Sequence, residues 1–188
     1  MTTKELTSLR ARLRDDTRAL HEHLDAVVSR FDPSTAEGLA CFLQMQSLAL
    51  RAIEPHAAQA ASLGALQDLL QRADSDLRQM ETGDRPDTPA IAPLHPQAID
   101  YMIAGSRLGT QVLRKRWLAA TAPHVRQASA YFSAPSYIDL WTSFCRSTEA
   151  MSPRGPVADQ IVHDACRLFR LYADFAAPVR VTNGSIHA

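Results

Sequence analysis

Apolar residues recur at helical spacing along nearly the whole chain, and no stretch alternates apolar and polar residues as a half-buried strand does. That pattern points to one fold class, an all-α domain. Leu9, Leu13, Leu20, Leu24 and Val27 form the stripe of a first helix, which gives way at Asp32-Pro33-Ser34. Ser34 or Thr35 can cap a second helix that carries Leu39, Phe42, Leu43, Met45, Leu48 and Leu50 up to Pro55. A third is expected from about Leu63 to Met80, with Leu66, Leu69, Leu70 and Leu77 on its buried side. Pro86, Pro89, Pro93 and Pro96 withhold backbone donors, so Thr82 to Pro96 reads as a long loop. A fourth helix follows over roughly Gln97 to Ala119, then a loop from Thr121 to Ser136. Two last helices cover about Tyr137 to Met151 and Val157 to Phe175, split by Ser152-Pro153-Arg154-Gly155-Pro156. The 188 residues contain no repeat or low-complexity tract. One helical domain over residues 1–177 is expected, with a frayed tail at 178–188.

Charge excludes some partners. Twenty basic and twenty acidic side chains balance, so no overall field favours nucleic acid or an anionic membrane. Cys41, Cys145 and Cys166 are odd in number and include no Cys-x-x-Cys pair, which argues against a disulfide framework or a zinc site and for a reducing cytoplasm. The N-terminus mixes acids with bases and lacks an apolar core, so no signal peptide is expected. No apolar run approaches the ~20 residues of a membrane span.

Two segments carry chemistry. The first is Leu13-Arg14-Asp15-Asp16-Thr17-Arg18-Ala19-Leu20-His21-Glu22-His23-Leu24-Asp25. On a helix His21 falls about 80° from the centre of the leucine stripe, at the border of core and solvent. Arg14 lies on the same flank roughly 10 Å away, and Asp25 one turn further on. A neutral imidazole can ligate a metal through one nitrogen while the other N–H donates to a carboxylate, which fixes its tautomer. Asp25 is placed for that second task, and Arg14 for a carboxylate on a ligand's rim. The plainer alternative is a solvated surface pair worth a few tenths of a kcal/mol. His23 faces away, and no Glu-x-x-His motif supports a dimetal centre.

The second segment is Tyr101-Met102-Ile103-Ala104-Gly105-Ser106-Arg107-Leu108-Gly109-Thr110-Gln111-Val112-Leu113. Gly105 and Gly109 lie one turn apart on one face, and each costs about 1 kcal/mol relative to alanine in a helix interior. Close approach of bare backbone to another surface would offset that cost, the other surface being a ligand or simply a second helix. Ser106 adds a hydroxyl, and Tyr101 offers a ring and a phenol at the mouth. Arg114-Lys115-Arg116 suits the helix dipole and could meet ligand carboxylates or an acidic electron donor. Together the two segments suggest a flat ligand held between two helices.

With Phe42-Leu43, Glu54, the Trp141-x-x-Phe144 pair and the final apolar helix, these segments resemble the haem oxygenases, particularly the soluble bacterial branch found alongside bacteriophytochromes. The resemblance implies an all-helical bundle with haem between a proximal and a kinked distal helix. It implies oxidative opening of haem to biliverdin, CO and Fe²⁺, with haem as both substrate and cofactor, O₂, and an external electron donor such as ferredoxin or a reductase. A bilin-accepting phytochrome would be the downstream partner. By position His21 would be the axial iron ligand, Asp25 its hydrogen-bond partner and Arg14 a basic residue near a propionate. Gly105 and Gly109 would let the distal backbone press on the haem.

The chain departs from the family at two places. Many members have an aspartate after the first distal glycine to organise water, where this chain has Ser106. A Gly-Gly pair is common where this chain has Gly109-Thr110, and a β-branched residue there stiffens the helix and crowds the haem side. A non-catalytic haem-binding or sensing protein on the same scaffold is therefore the alternative. A third reading is a non-haem helical enzyme, thiaminase-like, with Cys145 cast as nucleophile.

Overall fold

The computed structural model describes residues 7–82 and 87–177, so the expected tail at 178–188 and Pro86 lie outside the described residues. Within them the protein is all-α, and no strand forms. The helices are α1 (Leu9–Val28), α2 (Ala36–Ile53), α3 (Leu63–Gln79), α4 (Pro96–Leu118), α5 (Pro123–Gln127), α6 (Ile138–Glu149) and α7 (Pro156–Ala176), with a 3₁₀ turn at Glu54–His56. Among the described residues no helix is long and apolar enough to cross a membrane.

Local chemistry sets the helix starts. The Ser8 hydroxyl accepts from the Ala11 N–H, and Thr35 accepts from Gly38 N–H at 3.1 Å, so Thr35 rather than Ser34 is the cap of α2. Proline opens α4, α5 and α7 at a position where its missing N–H costs nothing. Gly38 cannot carry a side chain, since a Cβ would stand 2.2 Å from the Asp32 carbonyl oxygen. The α1–α2 turn folds back tightly onto the first turn of α2.

The expected stripes are buried in α2 and α3, whereas α1 buries only Leu9, Leu13 and Thr17, with Leu20, Leu24 and Val27 partly covered. α7 is the surface on which α1, α2 and α4 all pack. Its Ile161, Ala165, Leu168, Phe169 and Tyr172 form the middle of the core.

The stretch from Thr121 to Ser136 is not the plain loop expected. It contains α5, and its remainder is held firmly: the Asp76 carboxylate accepts the Ala130 and Tyr131 N–H groups at 2.9 and 2.8 Å. Phe132 stacks on Phe42 with ring centroids 5.6 Å apart, and Tyr131 is fully buried. Alanine and proline gave this segment no readable period, yet its aromatic pair completes the core.

The loop before α4 is anchored by a second buried carboxylate. Asp164, on α7, accepts the His95 N–H at 2.8 Å, the Gln160 amide at 2.9 Å and Arg167 at 2.9 Å. Arg167 in turn donates to the Pro93 and Ala92 carbonyls, both at 3.0 Å. Burial alone would raise the Asp164 pKa, but hydrogen bonds from Gln160, the His95 backbone and Arg167 outweigh it and bring the value below 3.8. The stability this carboxylate supplies is complete above that ordinary value and is lost as pH falls through the lower folded one. Asp164→Asn is expected to cost about 1.5–3 kcal/mol near neutral pH. In urea titrations the gap to the parent protein should begin to narrow near pH 3.8 and close only below the lower folded value.

Candidate functional site

α1 and α4 both lean on α7, and between them opens a cleft of about 980 Å³. α1 lines it with Arg14, Thr17 and His21, α4 with Tyr101, Gly105 and Gly109. Phe42, Met45 and Gln46 of α2 and Phe169 and Tyr172 of α7 supply its buried surface. At one end Arg116 of α4 donates to the Ser29 carbonyl at 3.1 Å, tying the end of α4 to the residue that follows α1.

His21 stands on the α1 wall with its side chain 57% exposed, its ring 5.5 Å from that of Phe169. Its Nδ1 lies 3.0 Å from Asp25 Oδ2, the neighbour one turn on. An imidazole whose Nδ1–H donates to a carboxylate presents Nε2 as a lone pair. His23 is exposed and does not line the cleft. Among the described residues no three histidine, cysteine or acidic side chains gather as a metal cluster. A metal brought here by a larger ligand would find one protein donor.

Arg14 is at the rim, its side chain 65% exposed and its Nε 3.1 Å from Asp15. Arg18 reaches the same carboxylate at 3.7 Å. Two guanidinium groups thus share one acid, and Arg10 pairs with Glu149 at 3.4 Å. The rim along the first half of α1 carries three arginines, and Glu22 and Asp25 follow on the second half.

Tyr101 is not at the mouth. It is partly buried, with its phenol 3.1 Å from the Thr17 hydroxyl, which itself donates to the Leu13 carbonyl at 2.7 Å. The ring sits in an aromatic group with Phe144 (5.6 Å), Trp141 (6.1 Å) and Phe169 (6.3 Å). Burial pushes its pKa up, so the phenol stays protonated. Contacts with Trp141 and Phe144, an i,i+3 pair on α6, draw it inward, which α4's own periodicity does not reveal.

The two glycines have different tasks. A Cβ on Gly105 would meet the Trp141 ring at 3.2 Å, so this glycine makes room for the indole of α6. A Cβ on Gly109 would meet nothing within 4 Å, and that position faces the open cleft. Ser106 and Thr110 both turn their hydroxyls back on their own helix, to the Ile103 and Ser106 carbonyls at 3.1 and 3.0 Å. Thr110 is buried at the cleft wall, and α4 stays helical throughout this stretch. Cys145 is partly buried on α6 and does not line the cleft.

Sequence reasoning missed Thr17 and Gln46. Thr17 lies four residues before His21 and four after Leu13, on the α1 stripe. Gln46 lies four residues from both Phe42 and Leu50, a polar residue on an apolar face, and that was the available signal. No protein-family model matches the chain, and no curated protein matches it.

The glycine assignments separate in a thermal unfolding experiment. Gly109→Ala is expected to stabilise the protein by about 0.5–1 kcal/mol, the helix-propensity gain with no new contact. Gly105→Ala should gain less, or lose stability, because Trp141 must give way. Equal gains would show that the indole yields freely.

Proposed function

We propose that the protein binds haem in the α1–α4 cleft and opens the ring oxidatively to biliverdin, CO and Fe²⁺, on a haem-oxygenase-like scaffold. The observation that carries this is the pairing, across one cleft, of His21 with its Nδ1 engaged by Asp25 and the side-chain-free surface of Gly109. The resemblance of both segments to the haem oxygenases supports the same reading.

The residues fit the group. A cleft of about 980 Å³ is at the upper end of small-molecule sites and accommodates a flat macrocycle. Its buried side, with Phe42, Met45 and Phe169, suits apolar ring faces, and its basic rim suits propionates. Bound haem would supply O₂ activation at iron, with electrons from an external donor protein such as ferredoxin or a reductase.

The chain's own tasks follow. His21 would hold the iron through Nε2, with Asp25 fixing the tautomer and orientation by accepting the Nδ1 proton. Arg14, at the rim beside Asp15, would pair with a propionate. Gly109 leaves space on the other face, and Ser106 and Thr110 present that face without a free hydroxyl proton, since both donate to their own helix. Thr17 and Tyr101 bridge α1 and α4 and fix their relative placement. A bilin-accepting phytochrome would take the product.

One observation favours a second reading. With both hydroxyls turned back and no acid at the Ser106 position, the glycine side lacks an obvious group to organise water. Haem binding or sensing without turnover follows from that. Hemin under ascorbate or a reduced donor decides between them: Soret decay with growth of a biliverdin spectrum marks turnover, and a stable haem spectrum marks a binder. A protein whose spectrum shows no haem bound would overturn both.

His21→Ala is expected to abolish the histidine-ligated haem spectrum, while His23→Ala leaves it unchanged. Asp25→Ala should weaken haem affinity by ~10–100-fold, the usual loss for a partner of a metal-bound histidine. Arg14→Ala should lower affinity and shift the ratio of bilin isomers, read by chromatography of the product.

A further inference from the structure

Gln46 has no role in the reading above, yet it is the wrong residue for its position unless something pairs with it. It lies on the apolar face of α2, is only 7% exposed, and lines the cleft beside Phe42 and Met45. It makes no hydrogen bond with any described residue. Its amide atoms are nonetheless not sealed inside the protein, so they open on the cleft. A primary amide offers two N–H donors and a carbonyl acceptor. A ligand that displaced water from it without replacing those bonds would bind at a penalty.

The rim fixes which part of a ligand reaches it. Arg10, Arg14 and Arg18 recur every four residues on one flank of α1, all with side chains more than half exposed. Anionic groups belong there, and the opposite edge of the same ligand then faces the buried floor that holds Gln46. We infer that Gln46 is a specificity-determining residue, whose amide hydrogen-bonds a polar substituent on the ligand edge remote from its carboxylates. This rests on the tetrapyrrole reading. The ligand it selects is an iron porphyrin with hydroxyl or carbonyl groups on that edge, over one with hydrocarbon groups alone.

Three porphyrins test this because they share their carboxylates and differ at that edge: haematohemin with hydroxyethyl groups, hemin with vinyl groups and mesohemin with ethyl groups. Each is titrated by absorbance into the parent protein, Gln46→Leu and the longer Gln46→Met. The parent should favour haematohemin over mesohemin by about 5- to 150-fold relative to either variant, the factor for one buried amide left unpaired. Comparing ratios between proteins cancels the differing solubility of the porphyrins themselves. An equal ratio in the parent and in a folded variant overturns the Gln46 assignment while leaving haem binding intact. A parent that prefers mesohemin by as much as the water-to-octanol partition of the two porphyrins alone requires overturns it whether or not either variant folds. Failure of all three to bind the parent protein overturns the tetrapyrrole reading itself and this inference with it.

Discussion

Everything about the cleft depends on how α7 is buried. Its apolar side is broad enough to seat α1, α2 and α4, so α1 and α4 are fixed by a shared support rather than chiefly by each other. Two helices that pack directly would interdigitate their side chains at 8–10 Å and leave no space between them. Phe169 and Tyr172, projecting from the support, become the base of the opening. The Thr17–Tyr101 hydrogen bond spans it from the inside and Arg116 closes one end, so the opening has both a floor and a limit.

The irregular segments are held by a recurring device. Asp76, Asp100 and Asp164 each sit under a turn or loop and accept backbone N–H groups: Asp76 from Ala130 and Tyr131, Asp100 from Ala61 and Ser62, Asp164 from His95. A carboxylate serves where a chain segment exposes consecutive donors with no helix to absorb them. The aspartates make those segments part of the folded body.

Helix positions and most of the core were readable because leucine spacing reports a buried face directly. Leu39, Phe42, Leu43, Leu66 and Leu69 are buried as their period requires. The sequence was silent on α5, a helix of five residues opened by Pro123, since so short an element has no period to show. At the cleft, His21, Asp25, Gly109 and Arg14 could be placed on their helix flanks from spacing alone. Tyr101 and Gly105 line the cleft, but their neighbours were not legible because α6 supplies them: Trp141 fills the space beside the glycine, and Phe144 packs on the phenol ring. Such facts belong to tertiary contact, and no property of α4 by itself encodes them.

α1 is secured unevenly along its length. Its first half is fastened by Leu9 N–H to the Met151 carbonyl, by Arg12 to Asp159 and the Pro153 carbonyl, and by three buried side chains, the last of them Thr17. Beyond Thr17 no residue of the helix is fully buried. The half that carries His21 borders the cleft and is held by partly covered Leu20, Leu24 and Val27 and, just past its end, by the Ser29–Arg116 hydrogen bond. Whatever fills the cleft would add contacts to the less covered half of α1, so binding and the stability of that half-helix would be linked.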